Sequence, residues 1–545
     1  MVSDIIKVPM TEEVAKAHDS YSEKVVDESG VVVQELGSHS FPVVAPAVGK
    51  WTAIKADRRA FAWSLYILFM MTSYGFDALL TGSVIGIPAF QKHFGYYDEA
   101  SGSYIISALW QSLWTAITAL AMLVGSLVCG QVGDRFGLRI TLITAIIFTI
   151  AGVLFEQLSR TPGHFLGAKT VAGFGYGLQT SVAMMTLSSF APVSLRGPMG
   201  AGLNTFILFG GWLASGTITG TGTVYPDSTK AYQIPFALQY VFIGIVAAGV
   251  LFVPETASFY LKQDKEEEAK RALIKLHGSS RMDIVEQDLE RAKVSRELDN
   301  RFSHAGLTVG PLEPFHKPHL KRTLICCAAL GFGQLAGASF VTTYLTYFFQ
   351  VAGAPDNTSL ALGQMSFTLM VIGNLVSWYA IDKLGRRVCL VGGLAIMTTL
   401  LIIIGITWAV RTSASLWIMV ALMSLWAFFY FYQGSIGACG YSIMSETPSA
   451  RMRPATVALA SATNQVTSWV MGFATPYMVN PDEANMGGYV GFVFAGFCAI
   501  ACIWAFFCVP ETAGRTSAEI DKLWADEIPV RKWKGYTTRV EEEIA

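Results

Sequence analysis

Long apolar runs separated by short polar segments are the dominant pattern of this 545-residue chain. A helix rises about 1.5 Å per residue, so roughly 20 apolar residues are needed to cross the hydrocarbon core of a bilayer. Twelve runs are long enough, and each predicts a transmembrane helix. They cover residues 61–90, 104–131, 138–158, 164–190, 198–221, 235–254, 323–350, 360–382, 388–409, 414–442, 455–478 and 488–509. The pattern therefore predicts an all-α membrane protein with twelve transmembrane helices.

The polar segments divide the chain into five parts. These are an N-terminal tail (1–59), a first six-helix half (60–254), a charged insert (255–322), a second six-helix half (323–509) and a C-terminal tail (510–545). The first tail lacks apolar runs, so we expect it to be mostly disordered. Within the insert, residues 264–273 carry Glu and Lys at i,i+4 spacing, which predicts a surface helix.

Short motifs recur at a distance of about half the chain. The copies are Pro254-Glu255-Thr256 with Pro510-Glu511-Thr512, Asp134-Arg135-x-Gly137-x-Arg139 with Asp382-Lys383-x-Gly385-Arg386-Arg387, and Arg196-Gly197 with Arg453-Pro454. Such a period in a membrane protein indicates two homologous halves, as in transporters built from parallel repeats. Two halves that rock around a central cavity move a solute, and they rarely perform covalent chemistry.

Composition and charge narrow the function further. The chain is 52% hydrophobic and 14% charged, and its net charge of −1 gives no reason to expect a nucleic-acid partner. The eight cysteines lie in or beside apolar runs without metal-ligand spacing, so we expect no disulfide, metal or cofactor.

Lysine and arginine concentrate in the insert and in the loops on its side. The positive-inside rule then places both termini and the insert in the cytoplasm.

Several stretches carry a family resemblance. They are Gly75-Phe76-Asp77-Ala78-Leu79-Leu80-Thr81-Gly82, Ile234-Pro235-Phe236-Ala237-Leu238-Gln239, Gly333-Gln334, Ser445-Glu446-x-Pro448-Ser449 and Pro510-Glu511-Thr512-Ala513-Gly514-Arg515-Thr516. Together they resemble the sugar-porter family of the major facilitator superfamily, and within it the fungal maltose and α-glucoside permeases. The resemblance implies two pseudo-symmetric halves, a monomer, and proton-coupled uptake of a small sugar such as maltose.

Asp77 and Lys169 are the candidate proton-coupling residues. Asp77 is the one acidic residue in the first predicted span, and an ionisable group at membrane depth costs at least ~2.5 kcal/mol and usually marks a pathway. Lys169 stands where the resemblance implies an arginine that pairs with this aspartate. Two simpler interpretations stay open: Asp77 lies near water at a helix end, or Lys169 extends to the interface.

The resemblance also implies sugar-binding and gating residues. The sugar-binding candidates are Asn204, Gln334, Ser339, Tyr344, Tyr441 and Asn464, although hydrogen bonding between helices explains each polar one nearly as well. The gating salt bridges would involve Asp134, Arg135, Arg139, Arg196, Glu255, Asp382, Arg386, Arg387, Glu446, Arg451, Arg453 and Glu511. Ser189 replaces the glutamate that the family pattern has in the first half.

Two alternatives remain. The chain could carry another glycoside, a polyol or a secondary metabolite, including by export. It could be a sugar sensor that does not transport, but its C-terminal tail of roughly 35 residues is short for signalling partners. An enzyme has no support, because no nucleophile elbow, metal cluster or phosphate-binding loop is present in the sequence.

Overall fold

The computed structural model describes residues 54–55, 57–99, 103–191, 196–304, 313–410, 414–432, 440, 443–444, 446–449, 452–513, 515 and 517–536. The expected disorder of the tail 1–59 therefore falls almost entirely outside the described residues. So do the candidates Tyr441 and Arg451, and the side chains of Arg196, Ser339 and Asp382.

The first half contains six long helices. In chain order its elements are α1 (Arg58–Val84), α2 (Pro88–Phe94), β1 (Tyr96–Asp98), β2 (Ser103–Ile105), α3 (Ala108–Phe136), α4 (Leu138–Leu158), α5 (Pro162–Phe190), α6 (Arg196–Val224) and α7 (Lys230–Val250). The strands β1 and β2 pair antiparallel, Tyr97 opposite Tyr104. The first apolar run, 61–90, is therefore not one helix, because α1 ends at Val84 and α2 begins at Pro88.

The insert and the second half follow. The insert contains α8 (Ala257–Lys262), α9 (Glu266–His277) and α10 (Met282–His304). The second half contains α11 (Lys317–Leu335), α12 (Ala338–Val351), α13 (Asp356–Leu384), α14 (Arg386–Val410), α15 (Ser415–Tyr432), α16 (Arg453–Val479) and α17 (Val490–Cys508), and the C-terminal tail contains α18 (Ser517–Ala525). The surface helix expected over 264–273 corresponds to α9.

The seventh run, 323–350, forms two helices. Gly337 lies between α11 and α12 with φ of +105°, a left-handed conformation that glycine adopts without a Cβ penalty. Eight helical segments in the described part of the chain are long and apolar enough to cross a membrane, the pair α11–α12 counting as one. The helices α5, α6, α15 and α16 correspond to the other four of the twelve predicted spans. Of these four, α5, α6 and α16 contain more Gly, Ser and Thr than α15 does.

The helices pack in the same pairs in both halves. In the first half α1 packs on α6, α3 and α4 on α5, and α4 on α7. In the second half α11 packs on α16, α13 and α14 on α15, and α14 on α17. The halves meet through α3 with α16, α6 with α13, and α1 with α12. This repetition of packing accompanies the repetition of sequence motifs.

Two ends of the bundle are distinguished below. The insert side is the end at which α1 begins and α8–α10 lie. The hairpin side is the opposite end, where α2 and the β1–β2 hairpin lie. On the hairpin side α1 approaches α12 so closely that a Cβ on Gly82 would lie 2.1 Å from the carbonyl oxygen of Thr343.

Candidate transport site

A buried ion cluster joins α1, α4 and α5. Lys169 Nζ donates to Asp77 Oδ1 at 2.8 Å and lies 2.7 Å from Glu156 Oε1. The contact with Glu156 is a buried ion pair. The exposed fractions of the three side chains are 0% for Lys169, 1% for Asp77 and 0% for Glu156. Asp77, Glu156 and Lys169 are called the ion cluster below.

Polar and aromatic side chains complete the surroundings of the ion cluster. Gln239 Nε2 on α7 donates to Glu156 Oε2 at 3.2 Å, and Tyr176 Oη donates to Gln239 Oε1 at 3.3 Å. The ammonium of Lys169 also lies 5.4 Å from the ring centre of Phe165. Asp77 lies about two helical turns before the end of α1, and Lys169 lies about two turns after the start of α5.

The structure places the Lys169 ammonium beside Asp77 and away from solvent. A lysine that extends to the interface would expose its ammonium, whereas Lys169 is fully enclosed beside Asp77. Glu156 was not predicted. It lies in the last turn of α4, where an acidic residue is ordinarily solvated, and the one sequence signal is that it is an acid at the end of an apolar run.

The sugar-binding candidates that the structure describes lie in several separate places and have different partners. Gln334 Nε2 on α11 donates to Asn464 Oδ1 on α16 at 3.1 Å. Asn204, on α6 of the first half, has a buried amide nitrogen without a hydrogen-bond partner among the described residues. Tyr344 is fully buried, and its hydroxyl lies 2.7 Å from Thr115 Oγ1 of α3. The structure therefore joins Gln334 to Asn464 and places Tyr344 against the other half.

Further buried polar atoms without hydrogen-bond partners among the described residues were not predicted from the sequence, and two of them lie on α13 and α15. Gln364 Oε1 on α13 and Trp426 Nε1 on α15 have no hydrogen-bond partner within the described part of the chain. Trp426 is fully buried and stacks on Tyr430 with ring centres 5.4 Å apart. An unsatisfied buried polar atom costs about 1–3 kcal/mol, so such atoms suit a polar ligand that supplies the missing bonds.

A polar contact closes the hairpin side. Asn480, fully buried just after α16, accepts at Oδ1 from Gln111 Nε2 at 3.0 Å and from the Tyr347 hydroxyl. Its Nδ2 donates to Ile106 O at 3.0 Å and to Asp482. Because Gln111 and Ile106 belong to the first half and Asn480 to the second, this contact crosses the interface. Gln111, Tyr347 and Asn480 are called the hairpin-side latch.

Other contacts across the same end support closure. They are Tyr96 Oη to Asp482 Oδ2 at 3.0 Å, Ser112 Oγ to Phe473 O at 2.7 Å, and Gln350 Nε2 to Gly86 O at 2.7 Å. Together with the close approach at Gly82, they define a conformation whose hairpin side is closed.

On the insert side, two carboxylates cap helices in equivalent positions. Glu255 accepts from the backbone N–H groups of Leu138 at 2.7 Å and Arg139 at 3.2 Å. These groups lie at the N-terminus of α4, where the helix dipole favours a negative charge. The Arg139 side chain instead donates to Val253 O at 2.6 Å.

Glu511 repeats this arrangement in the second half. It accepts from the backbone N–H of Arg386 at 2.9 Å and of Arg387 at 3.2 Å, at the N-terminus of α14. The Arg387 side chain donates to Phe506 O at 2.8 Å. The glutamates of the two repeated Pro-Glu-Thr motifs therefore act locally as helix caps, because each accepts from backbone amides at the start of a helix.

The described side-chain ion pairs among the gating candidates lie within one half or its adjoining insert. Arg386 pairs with Glu446 at 3.1 Å, and Asp134 pairs with Lys262 at 2.6 Å. Arg135 lies exposed, 5.5 Å from the ring centre of its neighbour Phe136. Arg453 begins α16, and its backbone N–H donates to Ser449 O at 2.9 Å.

A histidine attaches the insert to α1. His277 at the end of α9 contacts Asp57, the N-cap residue of α1, through Nδ1, and its Nε2 lies 3.2 Å from Asp288 of α10. Burial lowers the pKa of His277, but the two carboxylates outweigh burial and raise the pKa to about 9. The imidazole is therefore cationic near neutral pH and bridges two acidic residues.

In the part of the chain that the structure describes, no group of His, Cys, Asp and Glu has the arrangement of a metal site. What the described residues supply is a buried ion cluster, unsatisfied polar atoms on α6, α13 and α15, and two halves that contact each other on the hairpin side. This arrangement suits movement of a polar solute and a charge through a membrane.

Comparisons with known proteins agree with this architecture. The sequence profile described as "Sugar (and other) transporter" matches residues 63–524. The maltose permease MAL61 of Saccharomyces cerevisiae is 29% identical over 486 residues, which cover 89% of this chain and 78% of the permease. The MFS transporter fmqE of Aspergillus fumigatus is 29% identical over 505 residues, which cover 90% of this chain and 92% of fmqE.

Among solved structures, the xylose transporter XylE of E. coli in a partially occluded inward-open conformation has the same fold. Its TM-score is 0.68 at 16% identity, with 83% of this chain and all of that chain covered. Another structure of XylE, at 18% identity with a TM-score of 0.65, is described as a proton:xylose symporter. The profile match covers most of the sequence, and this chain, a multi-pass membrane transporter, belongs to the sugar (and other) transporter family.

Proposed function

We propose that this protein is a proton-coupled sugar symporter of the plasma membrane, and that its substrate is an α-glucoside such as maltose. The observation that carries the proposal is the buried pair of Asp77 and Lys169, 2.8 Å apart and essentially without solvent exposure. A charge at such depth is rarely retained without a function. We expect the protein to act as a monomer, with the insert side in the cytoplasm.

Proton coupling follows from the chemistry of this pair. A carboxylate beside an ammonium favours the ionised form, whereas burial favours the neutral form. A change in hydration as the halves rock therefore changes whether the site holds a proton. The hairpin-side latch would keep the outer end closed while the inner end admits or releases the sugar, which is the alternation that symport requires.

A polyol or sugar substrate is supported by the unsatisfied polar atoms. Each sugar hydroxyl both donates and accepts, so it suits the Asn204 and Trp426 donors and the Gln364 acceptor. Gln334 and Asn464 offer a further amide pair on the second half. The similarity to a maltose permease makes an α-glucoside the preferred candidate among sugars for this chain.

A second candidate is transport of another solute, including export. It is favoured by the description of the matching family, "Sugar (and other) transporter", which is not restricted to sugars. In that case Asp77 would still exchange a proton, but the movement of the solute would run in the opposite direction.

Uptake of labelled maltose in cells that lack endogenous sugar transporters tests the proposal. The experiment compares cells with and without the protein, and with and without a protonophore. We expect protein-dependent uptake above the external concentration that the protonophore abolishes. A protein that resides at the plasma membrane, yet takes up none of a panel of glucosides, hexoses and polyols, would favour the second candidate.

A further inference from the structure

The ion cluster contains one more carboxylate than the proposed coupling pair requires. Lys169 Nζ faces Asp77 Oδ1 at 2.8 Å and Glu156 Oε1 at 2.7 Å, and all three side chains are buried. With every group ionised the ion cluster would carry a net charge of −1. An uncompensated buried charge costs several kcal/mol, so this state is unfavourable in the closed conformation.

Resting on the proposed proton coupling, we propose that Glu156 is a proton-coupling residue: it stays beside Lys169 as its counter-ion and makes the ion cluster bind one proton. When the site holds that proton, the one remaining carboxylate charge neutralises Lys169. Lys169 therefore need not leave the ion cluster when Asp77 becomes neutral. The proton belongs to the pair of carboxylates as a coupled site.

The arrangement around Glu156 supports this role. Gln239 Nε2 donates to Glu156 Oε2 and fixes the carboxylate from α7, and Tyr176 in turn fixes the Gln239 amide. Asp77, on α1, has Lys169 as its buried ion partner. Glu156 is thus anchored by two helices, α5 and α7, which suits a stationary counter-ion.

The charged and titratable groups that face Glu156 are few. Asp77 approaches from α1, Lys169 and Tyr176 from α5, and Tyr240 from α7. The helix α3 also packs on α4, but its charged residues Asp134 and Arg135 lie at the insert side, far from the last turn of α4. The proton balance of the site is therefore set mainly by two carboxylates and one ammonium.

The expected effect of replacing Glu156 on the pH dependence of uptake follows from the charges that remain in the ion cluster. Glu156→Gln leaves Asp77 and Lys169 as a neutral ion pair, which has less tendency to take up a proton than the native cluster. Sugar-driven proton uptake should then need a more acidic medium. We expect the external pH for half-maximal maltose uptake to fall by about one pH unit or more.

The test measures maltose uptake and maltose-induced proton uptake against external pH for the wild type, Glu156→Gln and a control, Asp227→Asn. Asp227 is an exposed carboxylate on the hairpin side that pairs with Lys92 at 2.7 Å, so its loss should leave the pH profile in place. An unchanged profile for Glu156→Gln would overturn the role of Glu156, while coupled uptake by the wild type would leave the proposed function standing. A wild type without proton uptake would refute both.

A second test, which does not depend on transport, measures the cell-surface abundance of variants that differ in the net charge of the ion cluster. Glu156→Gln and Asp77→Asn each leave Lys169 one counter-ion, so each should reach the cell surface. The double variant Asp77→Asn/Glu156→Gln buries an unpaired ammonium and should be depleted from the surface, and adding Lys169→Met should restore it. A double variant as abundant as the single variants, or a Glu156→Gln protein that fails to reach the surface, would contradict the proposal.

Discussion

Replacing Asn480 by alanine should open the hairpin side. Asn480 is fully buried and forms two hydrogen bonds to the other half, one with Gln111 Nε2 and one with Ile106 O, each at 3.0 Å. Its contact with Tyr347 stays within the second half. When the hairpin side opens, water can replace the two bonds across the interface, so the alanine variant loses them mainly in the closed conformation.

The magnitude follows from those two bonds. A neutral hydrogen bond contributes about 0.5–1.5 kcal/mol net, so two contribute about 1–3 kcal/mol to closure. At 25 °C this corresponds to a shift of about 5- to 150-fold toward the conformation open on the hairpin side. A shift of this size should be visible in the accessibility of residues behind the hairpin-side latch.

Thr115 provides a reporter position. It follows Gln111 by one helical turn on α3 and contacts Tyr344 of the other half at 2.7 Å. In a Thr115→Cys background, an impermeant thiol reagent added outside intact cells should label Asn480→Ala about 5 to 150 times faster than the parent. The protein without Thr115→Cys corrects for labelling of native cysteines.

Thr475→Val is the matched control. Thr475 is buried on α16, the helix that Asn480 follows, but its hydroxyl donates to Met471 O of the same helix at 2.7 Å. Its replacement should leave the labelling rate unchanged. Equal rates for Asn480→Ala and Thr475→Val would refute the assignment of the hairpin-side latch. Gly82→Ala should also raise the rate, because its Cβ would clash with Thr343 O in the closed conformation.

Three further predictions concern the sugar site, the insert and the helix caps. Gln334→Ala should raise the maltose concentration for half-maximal uptake about 5- to 150-fold, since a lost buried partner costs about 1–3 kcal/mol; unchanged uptake kinetics would remove Gln334 from the site. Because the pKa of His277 is raised to about 9, its stabilisation of the insert should be complete below pH 6.5 and lost as pH rises through about 9. Protection of the α9 amides against hydrogen exchange, after correction for the intrinsic pH dependence of the exchange rate, should follow that course, and His277→Asn should abolish this change in protection. Glu255→Gln and Glu511→Gln should each lower the stability of the purified protein by about 0.3–2 kcal/mol, measured by thermal unfolding, and markedly unequal effects would contradict their equivalence as caps.

The fold class could be predicted from the sequence because each transmembrane helix requires a long apolar run, and such runs are visible in the sequence. The sequence did not predict the break at Gly337, because the surrounding Ala336-Gly337-Ala338 is as apolar as a continuous helix and only the backbone reveals the positive φ. From the sequence we expected Glu255 and Glu511 to form ion pairs with the basic loops, whereas in the structure each accepts hydrogen bonds from backbone amides at the start of a helix. The repeated motif identifies the residues, whereas the choice between a guanidinium and a backbone amide depends on where each helix begins.

Residues that join helices distant in the chain were harder to predict. The pairing of Asp77 with Lys169 came from family resemblance, and Glu156 was missed because a carboxylate in the last turn of a span looks like an interface residue. Gln111 and Asn480 were missed for a related reason: each is an ordinary amide near a helix end, and only the packing of α3 against α16 brings them together.

The coupling of sugar to protons through Asp77 is the central claim, and maltose-induced alkalinisation of the medium tests it most directly. Wild-type cells should take up protons when maltose is added, and Asp77→Asn cells should not, because asparagine cannot exchange a proton. The variant should still exchange labelled for unlabelled maltose, which shows that it is folded and binds sugar. Robust alkalinisation by Asp77→Asn cells would contradict the account, because the proton would then travel by another residue.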